Sequence, residues 1–515
     1  MCVIDMIKSV ALRTDGKVGA KALIETLSKK SDLRTTVGRR VSLLFANIHM
    51  NGLSNPELHK RILGFEFQYK NYLCIQDSGS DFYYVFYDTA SAKEEAKAIA
   101  AKGKGLEFAK RVIEQSVAAG TVAIKFAKSI EKADLSTKSR VELLRLFGEY
   151  VDVISALMPI TVITAAVELN IEEQLKKGLL KKTTDQNVIE SAMVKLTAPE
   201  KYNVPYEEQV SMLKIADRLA RGQKAAAQVK EHLEMYGWLG YRFDFGKLWT
   251  EDEILERAKR VEKPAEQLEF LEKKEAAVKK DFADIIKKMK LNEEVVEEAN
   301  AAKEFAWLRT YRTDAINEAV GRAKGLIDEI GRRYKIPEQY AHYLTIDEIL
   351  NGKMPKSADI KGRMDSYALA FAGIEGHLLV GGEVSVIKTF AETKLMNRKA
   401  DQAIRGMVAN RPMDGIEGTA RVVNSVEDVA SFNPGDILVA PMTEPNFVPA
   451  MEKAAAFVTD EGGLLCHAAI ISREMNKPCI IGTGNATKAI KDGQTIKLNL
   501  IDGTVQVIGE ESGNL

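Results

Sequence analysis

The apolar residues of this chain change their spacing once, near Arg411, and that change limits what the chain can fold into. From about Ser91 to Ile349 the text is rich in Ala, Glu, Lys and Leu, with apolar positions recurring every three to four residues, the mark of amphipathic helices. After Arg411 it breaks into short strand-like runs: GIEGTARVVNS, GDILVAP, AAFVTD, PCIIGT, TIKLNL and TVQVIG. These alternate with VPAMEKA and HAAIISREM, which have helical spacing. A long helical region and a compact α/β unit of about a hundred residues follow from the contrast. The fold class is multidomain, α plus α/β.

Before Ser91 the text is mixed. YLCIQDSGSDFYYVFYDTA, from Tyr72, reads as two strands around an SGSD turn, so residues 1–90 are expected to form a small mixed α/β element. Residues 91–395 are assigned to the helical domain, 396–411 to a linker and 412–510 to the α/β unit. Within the helical domain, one helix is predicted from Tyr206 to a glycine stop at Gly237, and another from Pro264 with dense outer charge. LLVGGEVSVIKTF, from Leu378, is expected to be a hairpin turning at Gly381-Gly382.

Length and charge narrow the function classes. At 515 residues the chain has room for two to four domains, with 45% hydrophobic and 28% charged residues. The 73 basic residues balance 73 acidic ones, so no electrostatic capture of nucleic acid or of an anionic membrane is expected. Cys2, Cys74, Cys466 and Cys479 are too few and scattered for a disulfide framework. The N-terminus lacks the pattern of a signal peptide. VISALMPITVITAAV, from Val153, is shorter than the roughly twenty residues of a membrane span, so a buried helix is expected. A cytoplasmic protein follows as the expectation.

The chemistry concentrates in TDEGGLLCHAAIISREMNKPCIIG, from Thr459. AAFVTD ends as a strand, Gly462-Gly463 turn the chain, and a helix is predicted to begin near Cys466 and run to Glu474 or Met475. His467 then lies in the first turn, where unpaired N–H groups and the positive dipole end favour an anion such as a phosphoryl group. Paired glycines let a phosphate donor approach the backbone. Ala468 and Ala469 are expected to leave the imidazole flank open. Two other readings stand beside this one: a core histidine satisfied by its neighbours, and a zinc site from Cys466, His467 and Cys479, which lacks a fourth ligand.

The same segment closely resembles the phosphohistidine swivelling (mobile) domain of phosphoenolpyruvate-utilising enzymes. That family includes phosphoenolpyruvate synthase, pyruvate phosphate dikinase, rifampicin phosphotransferase and, more distantly, enzyme I of the sugar phosphotransferase system. The match extends back through GDILVAPMTEPNFVPAMEKAAAFVTD to GIEGTARVV. The resemblance implies that His467 becomes phosphorylated, with Thr459, Gly462, Gly463, Cys466 and Arg473 in the supporting turn and helix start. It also shows a departure: Leu465 stands where the family usually has a small hydroxyl residue.

Full-length relatives usually add an ATP-grasp domain and often a C-terminal (β/α)8 barrel, neither of which is legible here. The whole chain is therefore similar to rifampicin phosphotransferase, or to a phosphoenolpyruvate synthase without its ATP-grasp part. The resemblance implies a phosphotransferase or phosphotransferase subunit. Its donor site would be on another chain, an ATP-grasp or other phosphoryl-donor protein, with Mg²⁺ expected there and no metal or organic cofactor assigned to this chain. The acceptor would be a small molecule bound in the helical region. The alternative is a non-catalytic regulatory or binding protein that kept the swivelling fold.

Elsewhere, Arg309 and Arg312 lie three apart on one helical face, where they are candidates to clamp a phosphate or carboxylate; surface pairing with Glu304 or Asp314 is the competing reading. Tyr236, Trp238, Tyr241, Phe243, Phe245 and Trp249 crowd a short loop, as an aromatic pocket or as packing between helices. His232 and His342 are candidate bases or structural histidines.

Overall fold

The computed structural model describes residues 12–13, 19–28, 33–39, 41–66, 71–76, 82–88, 106–242, 244–372, 375–399, 404–424, 428–429, 431–443, 447–462 and 466–508. Helix Glu293–Arg333 is the spine of the helical region, packing against helices Leu106–Glu131, Arg140–Ser155, Met158–Leu180 and Gln186–Thr197. Its buried face repeats at helical spacing through Ala299, Ala302, Phe305, Ala315, Ala319, Ala323, Leu326 and Ile330, and its alanines let neighbouring helices approach closely. Local signals start several partners. Capping boxes at Ser139 with Glu142, Thr250 with Glu253 and Thr345 with Glu348 satisfy first-turn N–H groups. Pro264 starts the helix Pro264–Met289, as its sequence implies.

The helix expected from Tyr206 to Gly237 is two helices, Val204–Ala220 and Ala226–Tyr236. Gly222, at φ +71°, ends the first, and Gln223 N–H returns to the Arg218 carbonyl at 2.9 Å. The apolar stretch at 153–167 is likewise divided. Helix Arg140–Ser155 stops and Met158–Leu180 restarts with Pro159 in its first turn, where a missing N–H costs nothing. Among the described residues no helix is long and apolar enough to cross a membrane.

A six-stranded sheet packs with these helices. Its order is β1 (Leu12–Arg13), β8 (Glu375–Val380), β7 (Tyr367–Ala372), β3 (Asn71–Gln76), β4 (Phe82–Asp88) and β2 (Leu33–Arg39). β3 and β4 pair antiparallel, Cys74 opposite Val85, as their alternation implies. A boundary at residue 90 does not separate two units, because β3 pairs on its other side with β7, some three hundred positions later, Cys74 opposite Leu369. The expected hairpin at 378–390 is a strand followed by helix Gly382–Lys399. Val384, Ile387 and Ala391 repeat at helical spacing and pack with Ala20, Leu23 and Leu27 over the sheet. A small hairpin, β5 (Tyr241–Arg242) and β6 (Phe245–Gly246), joins the helical region.

The C-terminal domain is an eight-stranded sheet with the order β10 (Met407–Asn410), β14 (Cys479–Ile481), β13 (Ala456–Thr459), β12 (Ile437–Ala440), β11 (Gly415–Val422), β15 (Thr495–Asn499), β16 (Thr504–Ile508) and β9 (Ile404–Arg405). The first and last strands in this order, β10 and β9, are separated in the chain by Gly406 alone, so the sheet closes into a barrel. A Cβ on Gly406 would lie 2.4 Å from the Ile481 carbonyl oxygen, so only glycine fits where the chain crosses from β16 to β14. The domain therefore begins at Ile404, inside the segment expected to be a linker (396–411): an isolated pair of short runs around a glycine reads as loop until both pairing partners are in place.

Candidate functional site

β11, β12, β13 and β14 run parallel, and their carboxyl ends form one edge of the barrel, where parallel α/β sheets bind ligands. At that edge β13 ends on Thr459, fully buried, whose hydroxyl donates to the Glu461 carbonyl at 2.7 Å. The next residues are tied to both neighbouring strand ends. Asp460 and Glu461 N–H groups reach the carbonyls of Ala440, the last residue of β12, and of Pro441 after it, at 3.1 and 2.9 Å. Thr483 and Gly484 N–H groups, after β14, reach the Thr459 and Asp460 carbonyls at 3.0 and 2.8 Å.

The Asp460 carboxylate closes this network. It accepts from the Thr483 hydroxyl at 3.0 Å, from the Thr487 N–H at 3.2 Å and from the Thr487 hydroxyl. Burial pushes its pKa above the ordinary carboxylate value, and the Thr487 and Thr483 bonds partly offset that push.

The chain then turns through Gly462 at φ +132°, a region that side chains rarely enter. A Cβ there would lie 2.7 Å from Cys466 Sγ. Helix His467–Glu474 follows, and His467 is its first residue, as the spacing predicts. The Cys466 thiol accepts the Ala469 N–H at 3.5 Å, so cysteine takes the N-cap place usually held by a hydroxyl or carboxamide residue. Ala468 and Ala469 are both buried in the core with Phe457 and Ile481, because helical spacing turns positions two and three inward when the helix lies on the barrel; the imidazole whose flank they were expected to leave open lies outside the described residues. At the other end, Asn410 Nδ2 donates to the Ser472 and Lys477 carbonyls at 3.0 and 2.9 Å, tying the helix end to β10. Gly463 and Leu465 lie outside the described residues, as do the side chains of His467 and Arg473.

Cys479 is buried on β14, its Sγ 3.9 Å from the Ala468 carbonyl. Among the described residues no three His, Cys, Asp or Glu side chains gather as a metal site; the zinc reading also needs His467, whose side chain lies outside them.

Arg309 and Arg312 lie half-buried on the spine helix. The Arg312 guanidinium donates to the Thr161 carbonyl and, at 3.5 Å, to that of Ile160, joining the spine to the start of helix Met158–Leu180. Glu304 pairs with Lys201, and Asp314 accepts the Val204 N–H at 3.1 Å. In the aromatic loop Trp238 and Tyr241 are buried and Trp249 lies under Arg257, an arrangement of interhelical packing; Phe243 lies outside the described residues. His232 is fully enclosed between Ser211, at 3.0 Å from Nδ1, and Glu208, at 3.3 Å from Nε2. His342 sits between Asp244 and Asp328, at 3.4 and 3.6 Å. Burial opposes its charge, yet the two carboxylates prevail and raise its pKa to about 9. A group already protonated at neutral pH is not a base there.

Reading the sequence alone missed Asp460, Thr483, Thr487 and Asn410. An acidic residue between a strand and paired glycines was a visible signal for Asp460, but its partners lie more than twenty positions away.

Residues 432–503 match the family described as PEP-utilising enzyme, mobile domain. A "Probable phosphoenolpyruvate synthase" of Methanothermobacter thermautotrophicus is 39% identical over 121 residues, 24% of this chain and 17% of that one. A second, from Archaeoglobus fulgidus, is 30% identical over 187 residues, 36% of this chain and 23% of the other. The phosphoenolpyruvate synthase of Escherichia coli is 42% identical over 86 residues, 17% of this chain and 11% of that enzyme. The chain thus spans less than a quarter of the length of these relatives. A solved structure titled "NMR solution structure of Enzyme I (nEIt) protein using two 4D-spectra" aligns with 39% of this chain and 56% of its own at 17% identity, with a TM-score of 0.16.

Proposed function

We propose, proceeding from a C-terminal mobile domain of the PEP-utilising enzyme family, that this chain is a phosphotransferase or phosphotransferase subunit carrying a phosphoryl group on His467. The observation that carries this reading is the position of His467, within the matched segment, as the first residue of a helix that starts beside the carboxyl edge of four parallel strands. The helix dipole and the first-turn N–H groups beyond that of Ala469, which Cys466 caps, favour a dianion at that end.

In the first half-reaction a ring nitrogen of His467 attacks the donor phosphorus, a P–N bond forms, and the P–O bond to the leaving group breaks. In the second, an acceptor oxygen attacks and the P–N bond breaks. Splitting the transfer lets one residue serve two sites that never meet. The donor site, with Mg²⁺ to neutralise phosphate charge, belongs to an ATP-grasp or phosphoenolpyruvate-binding partner chain, and the acceptor is a small molecule bound by the helical region.

Labelling tests this reading. The full chain is incubated with phosphate-labelled ATP or phosphoenolpyruvate, with and without a candidate ATP-grasp partner. Acid-labile label that is lost in His467→Ala supports the carrier role; equal labelling of wild type and variant rules it out.

A further inference from the structure

We infer that Asp460 is the positioning residue of the carrier site: its buried carboxylate clamps the ends of β13 and β14 together and so sets where the helix of His467 begins. The inference rests on the carrier reading of His467 for its functional consequence, but the clamp itself stands on geometry. Asp460 is 8% exposed, and three donors from two residues beyond β14 converge on it: the Thr483 hydroxyl, the Thr487 N–H and the Thr487 hydroxyl. Its backbone is held as firmly, by the Ala440 carbonyl on one side and the Gly484 N–H on the other. Two residues later the chain makes its turn at Gly462 against Cys466 Sγ, and Cys466 caps the helix through Ala469. The path from β13 to His467 is thus pinned at Asp460 and at Cys466.

Without the carboxylate, the Thr487 N–H and hydroxyl lose their shared acceptor and the Thr483 hydroxyl keeps only the Thr459 carbonyl, at 3.1 Å; half-buried donors left unpaired favour a rearranged loop. A shift of about 1 Å in a reacting group is enough to slow transfer by roughly a hundred-fold. The carboxamide of Asn is nearly isosteric. Its oxygen accepts as the carboxylate does, and the Thr487 hydroxyl turns to accept from its amide, so Asp460→Asn keeps the clamp while removing the charge.

The test compares wild type, Asp460→Ala, Asp460→Asn and Thr487→Val as full chains, with two readouts. The first is the initial rate of acid-labile labelling, using whichever donor labels wild type. The second is amide hydrogen exchange of peptides covering residues 460–470, which needs no donor. Asp460→Ala is expected to slow labelling about ten-fold or more. Exchange should rise at 460–470 and stay unchanged in β12 and β13, Asp460→Asn should recover most of both, and Thr487→Val should fall between. Wild-type labelling and exchange in Asp460→Ala would overturn the proposal, as would loss in Asp460→Asn equal to that in Asp460→Ala, which would point to charge instead of a clamp. If Asp460→Ala fails to fold, Thr487→Val decides by the same readouts. Absence of label in wild type would count against the carrier reading alone, and the exchange comparison would still decide the clamp.

Discussion

Gly462 shows at the scale of one residue why this turn tolerates so little. Its φ of +132° and the 2.7 Å that would separate a Cβ from Cys466 Sγ act together, since relieving the contact moves the thiol that caps the helix. Gly462→Ala is expected to destabilise the barrel domain by about 1–3 kcal/mol, read from its thermal transition, and to slow labelling of His467. Gly462 was legible in the sequence because paired glycines between a strand and a helix mark a turn. Asp460 was not, because a carboxylate beside a glycine pair reads equally as a solvated turn residue. Only the approach of Thr483 and Thr487 makes it a buried acceptor.

Among the elements, the spine helix and the His467 helix owe their stability to different sources. The spine buries Phe305 completely among neighbouring helices. Phe305→Ala is expected to cost about 3–5 kcal/mol in urea unfolding, through lost burial and the cavity left behind. The His467 helix has eight residues, too few to be stable alone, and depends on its caps and on the barrel beneath it. Removing its C-terminal tie with Asn410→Ala is expected to cost about 1 kcal/mol and to raise amide exchange in residues 472–477. The His467 helix was readable from spacing; the spine was legible only as part of a helical region, without its bounds. The break at Gly222 and the helix Gly382–Lys399 were misread, since a glycine inside a periodic run and a glycine pair beside one each fit two structures.

For the whole molecule, stability in the helical region is coupled to pH through His342, which joins three distant segments. Its ring lies between Asp244 of the β5–β6 turn and Asp328 of the spine, while its carbonyl accepts the Leu44 N–H at the start of helix Leu43–Ser54. A pKa raised to about 9, above the unfolded value near 6.5, means that the folded state binds the proton more tightly. The resulting stabilisation is complete below about pH 6.5 and is lost as pH rises through about 9, a loss of roughly 3 kcal/mol. Trp238, Trp249 and Trp307, the chain's three tryptophans, all report on this region. Urea midpoints followed by their fluorescence are expected to fall between pH 6 and pH 9.5 in wild type, and to fall less in His342→Gln. The sequence by itself determined the two-part architecture, the strand–turn–helix around His467 and the resemblance of the last hundred or so residues to a mobile domain, because periodicity and turn chemistry are local. Only the tertiary structure shows that β7 and β8 complete the N-terminal sheet, that Gly406 closes the barrel, and that the Asp460 carboxylate is buried against Thr483 and Thr487 beside the Gly462 turn. Each of these depends on contacts between residues distant in the chain, and spacing along a sequence carries no record of which distant partners meet.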